Sequence, residues 1–409
     1  MITKINPKKL ILKIIPKKIK LKIRELILNK EFVDFERVTE FDKNLKTGIN
    51  CIGHLKGQFG LGQGARLLCR AIKESKYDFA AIDADAGSSV KYGDTEFDSI
   101  LTKEFPYNIN ILNLIPHNIN RQLSIENLKN RYNIGYWVFE LEDIPKFWHE
   151  RFKYVNEIWT PSNFCSDAFK KVSPVPVFTI PYGVEAVPNK TLKRGDFNLP
   201  DNKFIYLIMF DSMSSIDRKN PKDAIKAFVK AFPNNNDVCL VIKINNSQPK
   251  HIREIKKQLK TVKHYRLIAK VLDNPDLYSL ISLCDAFVSL HRGEGFGLVM
   301  AEAMLLGTVC IATNYSANTD FMNKDNSCLV DYKLCPIRGE TNIVYAQGKW
   351  AQPDIKQASE YMITLFKDKK LYNNLRKNAQ EYILNEFSIR KSSEKIEKRI
   401  DQIIKDHNL

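Results

Sequence analysis

A chain of 409 residues with 44% hydrophobic and 27% charged side chains is built to bury cores, which excludes disorder throughout and asks for two domains. The formal net charge is +16, yet residues 1–30 hold ten Lys/Arg against the single acid Glu25, leaving 53 basic against 46 acidic residues beyond them. The excess charge therefore belongs to the tail, and eight cysteines without a Cys-x-x-Cys pair exclude a disulfide framework or a zinc site and suit a reducing compartment.

In the tail, Leu12, Ile15, Ile19, Ile23 and Leu26 fall at helical spacing between lysines, interrupted by Pro16. Ile19 to Arg24 also alternates with period two, so a strand remains open. A basic amphipathic segment suits the face of an anionic membrane; the plain alternatives are a solvated tail or a packing extension. No aromatic residue is interleaved with these lysines for base stacking, which argues against nucleic acid as a partner. No run reaches the roughly 18 apolar residues that a transmembrane helix needs. Lysines break the N-terminal apolar positions, so no cleavable signal is read. The cytoplasm is the expected location, with peripheral attachment to the inner membrane face as the tail's contribution.

From about residue 46 short apolar runs alternate with helical segments, the pattern of a parallel, doubly wound α/β sheet. Asn50 to Gly53 reads as a first strand, followed by a loop and helix start with glycines at 57, 60, 62 and 64. Gly62 and Gly64 allow close approach to a ligand or a sharp structural bend. The spacing does not match a dinucleotide fingerprint. Asp83-Ala84-Asp85 is a short string common by chance, and no metal site is expected from it. Further strands are expected at 109–115, 134–138, 157–160 and 176–180. His117 stands just beyond the C-terminal end of the 109–115 strand. The 134–138 strand leads into Phe139-Glu140-Leu141-Glu142-Asp143; Trp137 is a candidate for stacking on a sugar, Glu140 or Glu142 for accepting from hydroxyls, and core packing is the other reading of Tyr136 to Phe139.

Pro181 to Glu185 is a candidate hinge. A strand over 204–210 then leads to Ser214-Ser215-Ile216-Asp217-Arg218-Lys219-Asn220-Pro221. Asn220-Pro221 is a helix start, which aims Arg218 and Lys219 at the crevice, where they can neutralise a diphosphate. A short helix is expected over 275–282. A strand over 286–290 is followed by His291-Arg292-Gly293-Glu294-Gly295-Phe296-Gly297 and a helix over 298–306. A glycine-rich turn between strand and helix gathers free N–H groups and the positive end of a helix dipole, a natural anion site. Glu294 lies on that loop and Glu302 about one turn into the helix, so the two can face one crevice. The next strand is 309–313, followed by Asn314-Tyr315-Ser316-Ala317-Asn318. Ile389, Ile396, Ile400 and Ile403 mark an amphipathic C-terminal helix.

The segment around Glu294 and Glu302 resembles the signature of the retaining nucleotide-sugar glycosyltransferases of glycosyltransferase family 4, in which two glutamates separated by seven residues flank a Gly-Phe-Gly turn. Residues 134–162 and 284–331 resemble a bacterial subgroup of it, which usually has glycine at the position of Ala317. The resemblance implies the GT-B fold: two Rossmann-like domains facing across a cleft. These are 46–182, the acceptor domain, completed by a C-terminal helix of about 375–409, and 183–374, the nucleotide-sugar domain; residues 1–45 form the basic extension. It implies transfer of a sugar from a nucleoside diphosphate sugar to an acceptor hydroxyl with retention, in surface polysaccharide or glycoconjugate synthesis. The acceptor would be a glycan, a lipid-linked molecule or a protein. No cofactor or metal beyond the donor substrate is expected.

By the same resemblance Glu294 contacts the donor sugar, Glu302 the ribose, and Gly295, Phe296, Gly297 and Leu298 line the donor site with Arg218, Lys219, Gly62 and Gly64. His117 and Glu140 are candidate catalytic residues. The nucleobase would be held near Val271-Leu272-Asp273. Most of the family carries an arginine where Ser214 stands here, and Arg218 is the expected substitute. The rival reading is a catalytically silent GT-B module acting as a partner or glycan-binding subunit.

Overall fold

The computed structural model describes residues 17–30, 32–85, 93–338, 343–345 and 348–409. The first sheet has the order β2-β1-β3-β4-β5-β6 and is parallel throughout, with β1 at Lys46–Gly53, β2 at Phe79–Asp83, β3 at Tyr107–Asn113, β4 at Tyr132–Tyr136, β5 at Glu157–Thr160 and β6 at Val177–Thr179. Its central strands are covered on both faces, which is why Ile49 to Ile52 and Ile109 to Leu112 are buried without alternation. The polar positions inside them pair with one another. Asn50 Nδ2 donates to Asn110 Oδ1 and Asn110 Nδ2 to Asn133 Oδ1, each at 2.8 Å, so these buried amides are satisfied across three strands.

The second sheet, also parallel, has the order β12-β11-β10-β7-β8-β9. Its strands are β7 Phe204–Asp211, β8 Val238–Asn245, β9 Tyr265–Ile268, β10 Ala286–Ser289, β11 Val309–Thr313 and β12 Cys328–Val330. The chain builds outward from β7 to β9, then returns to β7's other side and builds outward again. The loops after β7 and β10 consequently leave in opposite directions and open a crevice at the carboxyl ends of the strands, where α/β sheets bind ligands. Sequence periodicity had marked neither β8 nor β9.

Four helices frame that crevice: α2 (Gly60–Lys73) in the first domain, and α4 (Pro221–Ala231), α6 (Asn274–Ser282) and α7 (Leu298–Leu305) in the second. The numbering leaves α1 for Lys17–Lys30, α3 for Asn163–Lys170, α5 for Pro249–Gln258 and α8 for Ile355–Lys367. The helix expected over about 375–409 is two. α9 (Lys369–Glu386) stays with the second domain against α7, and only α10 (Ile389–His407) crosses to the first. The break falls where Val184 N donates to Phe387 O (2.6 Å) and Ser388 caps α10 through Lys391 N (3.4 Å). A Cβ on Gly183 would sit 2.6 Å from Ile389 Cα, so the hinge needs glycine there. Ile396, Ile400 and Ile403 join Ile49, Leu68 and Tyr132 in the first domain's core. Arg399 closes an ion pair on Glu157, which is wholly buried and also receives Tyr132 Oη at 2.9 Å.

α1 packs on the Lys146–Tyr154 segment, with Leu28 buried and Arg151 donating to its carbonyl. Its other face is apolar and open: Ile19, Ile23, Leu26 and Ile27 are 48%, 42%, 61% and 49% exposed. Leu12, Ile15 and Pro16 lie outside the described residues. Among those described, no helix is long and apolar enough to cross a membrane. A hairpin of β13 (Tyr332–Pro336) and β14 (Lys349–Pro353) extends from the second domain, and its connection brings Tyr345 over the cleft.

Candidate active site

Glu294 sits where the crevice meets the first domain. It is 7% exposed. Burial alone would raise its pKa, but Lys219 and Arg218 more than offset that and hold it at about 2. Lys219 Nζ lies 2.6 Å from Oε1 and Arg218 Nη1 3.3 Å from Oε2. Arg218 is itself buried and makes a second pair, Nη2 to Glu140 Oε1 at 3.2 Å, across the cleft; its Nη1 donates to Gly293 O at 2.7 Å. Tyr345 Oη donates to the other oxygen of Glu140 at 2.8 Å, and its ring lies 5.7 Å from the guanidinium. Two carboxylates, two cations and a phenol thus form one largely buried network, in which each charge has a partner and Glu140 and Lys219 are partly exposed.

Local structure explains why the basic pair reaches it. Ser215 caps a single helical turn by accepting from Arg218 N at 3.2 Å, and Asn220, in the left-handed region at φ 50°, ends that turn. α4 then starts on Pro221, as the Asn-Pro signal implies. From the far side Ser316 Oγ accepts from Glu294 N at 2.8 Å. Ser316 holds φ +71°, ψ −155°, a conformation that costs a non-glycine residue on the order of 1–3 kcal/mol and concentrates at functional sites. Strain therefore falls on Ser316, one residue before the subgroup's usual glycine position.

Glu302 is 3% exposed, and burial lifts its carboxyl to about 7. Its partner is Tyr278 of α6, whose Oη donates to Oε1 at 3.0 Å. Tyr278 Oη accepts from Gln63 Nε2 of the first domain at 3.1 Å, and Gln63 Oε1 accepts from Arg66 at 2.9 Å. Between the two glutamates, Gly297 (φ +97°) begins α7. The N–H groups of Leu298 and Val299 at the start of that helix have no intrahelical acceptors, whereas Met300 N donates to Gly297 O at 2.9 Å; Gly297, Leu298 and Val299 are the half-exposed part of the loop. A helix end whose dipole favours anions thus lies between one carboxyl held at about 2 and another lifted to about 7.

Residues 190–382 match the family described as "Glycosyl transferases group 1". Over that stretch, which includes Arg218, Lys219, Glu294 and Glu302, the chain is similar to the group 1 glycosyltransferases. No curated protein sequence matches the chain, but solved structures do in fold. Anabaena HepE, in complex with UDP and glucose, superposes with a TM-score of 0.64 at 14% identity, covering 87% of this chain and 100% of that one. Sucrose-phosphate synthase of Thermosynechococcus elongatus gives 0.64 at 14% over 88% and 100%. The pneumococcal O-GlcNAc transferase GtfA, in complex with UDP and GlcNAc, gives 0.54 at 16% over 72% and 57%. At these identities the likeness is one of fold: GT-B, two Rossmann-like domains facing across a cleft.

Within the matched stretch, Lys219, Arg218, Glu294, Gly295, Gly297, Leu298 and Glu302 gather around one crevice, and Glu140 of the first domain joins them. Phe296 turns inward, 3% exposed and edge-on to Tyr182 at 5.5 Å, so it is core. Gly62 and Gly64 do not open onto the crevice as the resemblance implied: an added Cβ would meet Gly57 O at 2.1 Å and the Tyr182 ring at 2.7 Å. Their bareness serves the close packing of α2 on its own loop and on the hinge.

His117 also sits apart from the cluster. Trp148 Nε1 donates to its Nδ1 at 2.9 Å, and its ring lies against Phe147 and Trp148. Burial, with Arg121 and Arg151 nearby, depresses it to about 4, so it is neutral at physiological pH and anchors an aromatic cluster. Arg218 does not take up the open position expected of an arginine at Ser214, because both its terminal nitrogens are bound to Glu140, Glu294 and Gly293. Asp83 ends β2, accepting from Lys56 N at 3.0 Å. Sequence reading assigned no role to Tyr278, Tyr345, Ser316 or the wholly buried His291. His291 Nε2 lies 3.0 Å from Asn318 Oδ1, binding the Glu294 loop to the next one, and no local pattern announces such a contact.

Proposed function

We propose that this protein moves a sugar from a nucleoside diphosphate sugar to an acceptor hydroxyl with retention at the anomeric carbon, in the synthesis of a surface polysaccharide or glycoconjugate. The observation that carries this reading is the Glu294 carboxylate, held ionised by Lys219 and Arg218 one loop away from the α7 N-terminus, with Glu302 eight residues on. Glu294 suits the hydroxyls of a donor sugar, Glu302 those of a ribose, and the helix end with Lys219 the diphosphate between them. In the step proposed, the bond from the anomeric carbon to the diphosphate oxygen breaks, the acceptor oxygen bonds the same face of that carbon, and the leaving phosphate takes the acceptor's proton. Glu140, facing Glu294 from the first domain, borders the acceptor side. UDP is the first nucleotide to try, since HepE and GtfA are described with it. The fixed cations and helix dipole take the role of a metal ion at the diphosphate.

α1 adds a place of work. Its open apolar face, with Lys22 and Arg24 beside it, suits an anionic bilayer, and α1 also touches the Ile343–Tyr345 turn that brings Tyr345 to Glu140. A membrane-held, lipid-linked acceptor would meet the protein on that side. The decisive experiment incubates the protein with a panel of UDP-, GDP- and dTDP-sugars and follows nucleotide release and thermal stabilisation. The anomeric configuration of the product is then read by NMR. Release of one nucleotide, with the donor configuration kept, is expected; stabilisation without turnover on any acceptor would favour a silent sugar-binding module, and an inverted product would overturn retention.

A further inference from the structure

One buried cation near the crevice is used by neither glutamate. Lys243 stands near the carboxyl end of β8, wholly buried, across from Met209 of β7 and Ile268 of β9. It follows Cys239 and Val241 at alternate positions, so its stem lies on the sheet face that α6 and α7 cover, the face that also holds Tyr278 and Glu302. Its ammonium reaches the end of the strand and donates to Asn245 Oδ1; Asn245 is half-buried at the sheet's carboxyl edge.

The charged groups that face Lys243 are Asp211 at the end of β7, which favours its charge, and Lys270 beyond β9, which opposes it. Asp211 is already engaged, accepting from Asn246 Nδ2 at 3.1 and 3.0 Å and from Met213 N at 2.8 Å. Among the described residues Lys243 makes no ion pair. Burial outweighs Asp211, and the ammonium is depressed to about 8. A buried ammonium with a neutral hydrogen-bond acceptor but no ion pair is costly, and such groups concentrate where function recruits them. β8 lies between β7, whose loop carries Lys219, and β9, whose loop leads to the expected base site. The positive charge expected at Ser214 is missing, and Arg218 is committed to the two carboxylates.

We propose that Lys243 is a donor-binding residue, its ammonium meeting the diphosphate of the nucleotide sugar and supplying the cation that Ser214 does not. The proposal rests on the donor-site reading above. Asn245 is its partner while the site is empty and gives way to phosphate oxygen on binding. The test uses the full chain and Lys243→Met, which keeps the stem's volume and removes the charge.

Calorimetry with UDP, GDP and the matching nucleosides is compared between the two proteins, together with their thermal stability. The variant is expected to melt no lower than the wild type and to lose about ten- to a hundredfold in affinity for the diphosphate, with nucleoside binding unchanged. The wild type's advantage should shrink between about pH 7 and about pH 10, as the lysine loses its proton. Equal affinity for the diphosphate, or an equal loss for nucleoside and diphosphate, would overturn the role of Lys243. If the wild type binds neither nucleotide, the donor-site reading itself has failed.

Discussion

Glu294 and Glu302 share one loop and helix, yet their surroundings push them in opposite directions. Two cations keep Glu294 ionised far into acid, whereas for Glu302 burial outweighs the Tyr278 phenol and the more distant Arg70 and Arg66. The consequence for stability has a definite sign. A folded-state pKa of about 7 against an ordinary value near ~4.3 means that the folded chain binds the Glu302 proton more tightly, so its stabilising effect is complete in acid and is lost as pH rises through about 7. Glu302→Gln, which can still accept from Tyr278, is expected to melt above the wild type at about pH 8 and to lose that advantage at about pH 5, the difference approaching about 3 kcal/mol. Thermal denaturation at the two values checks it. For binding, Glu302→Ala should weaken nucleotide affinity by about 1.5–3 kcal/mol, while Glu294→Ala should mainly lower kcat. Calorimetry that finds nucleotide affinity intact in both variants, with activity retained, would remove both residues from the site.

At the scale of elements, α1 combines two features that mean little separately. Basic runs are usually solvated and apolar stripes are usually core, but here Leu28 packs inward while Ile19, Ile23, Leu26 and Ile27 stay open to solvent. Replacing those four by serine leaves Leu28 and its contact with Arg151 in place, so the body should fold unchanged. Co-sedimentation with liposomes is expected to fall sharply in that variant. Binding by the unaltered chain should prefer anionic lipid and weaken with salt, because attraction to headgroups is screened within about 8 Å at physiological ionic strength. Equal pelleting of both proteins, or indifference to lipid charge, would return α1 to the role of a packing extension.

The whole molecule works only if its halves meet at the right distance, and the glycine loop is where they touch. A Cβ on Gly295 would lie 2.3 Å from Val138 Cγ1, and one on Gly293 2.5 Å from Glu140 O, while Ser162 Oγ donates to Gly295 O at 2.8 Å. Gly295→Ala should hold the cleft slightly open. Its expected signature is a fall in kcat of about tenfold or more, since small misplacements of reacting groups are costly, with UDP affinity nearly kept; steady-state kinetics beside calorimetry separates the two. On the proposed reading, Lys219, Lys243 and the α7 N-terminus meet the diphosphate's charge without a metal ion, so activity should survive EDTA. Complete loss, restored by manganese or magnesium, would contradict the metal-free reading.

Much of this architecture is written locally. A strand, a glycine turn and a helix within twenty residues place Glu294 and Glu302 around one helix end whatever surrounds them, and Asn220-Pro221 starts α4 by the same short-range chemistry. Alternating apolar runs likewise announce two parallel sheets, because strands buried on both faces need nothing but apolar side chains. β8 was illegible because Lys243 interrupts such a run, and β9 because Tyr265 and Arg266 are exposed. Partnership was beyond reach for a different reason. Whether Arg218 serves a phosphate or bridges Glu140 and Glu294, whether His117 faces the cleft or Trp148, and whether Gly64 meets a ligand or Tyr182 depend on strand order and on how closely two domains approach. Those contacts join residues tens to hundreds of positions apart. The sequence alone therefore determined most of the elements and the chemistry each one offers; only the tertiary structure decided which charges meet, because pairing depends on distances that chain-local preferences do not set.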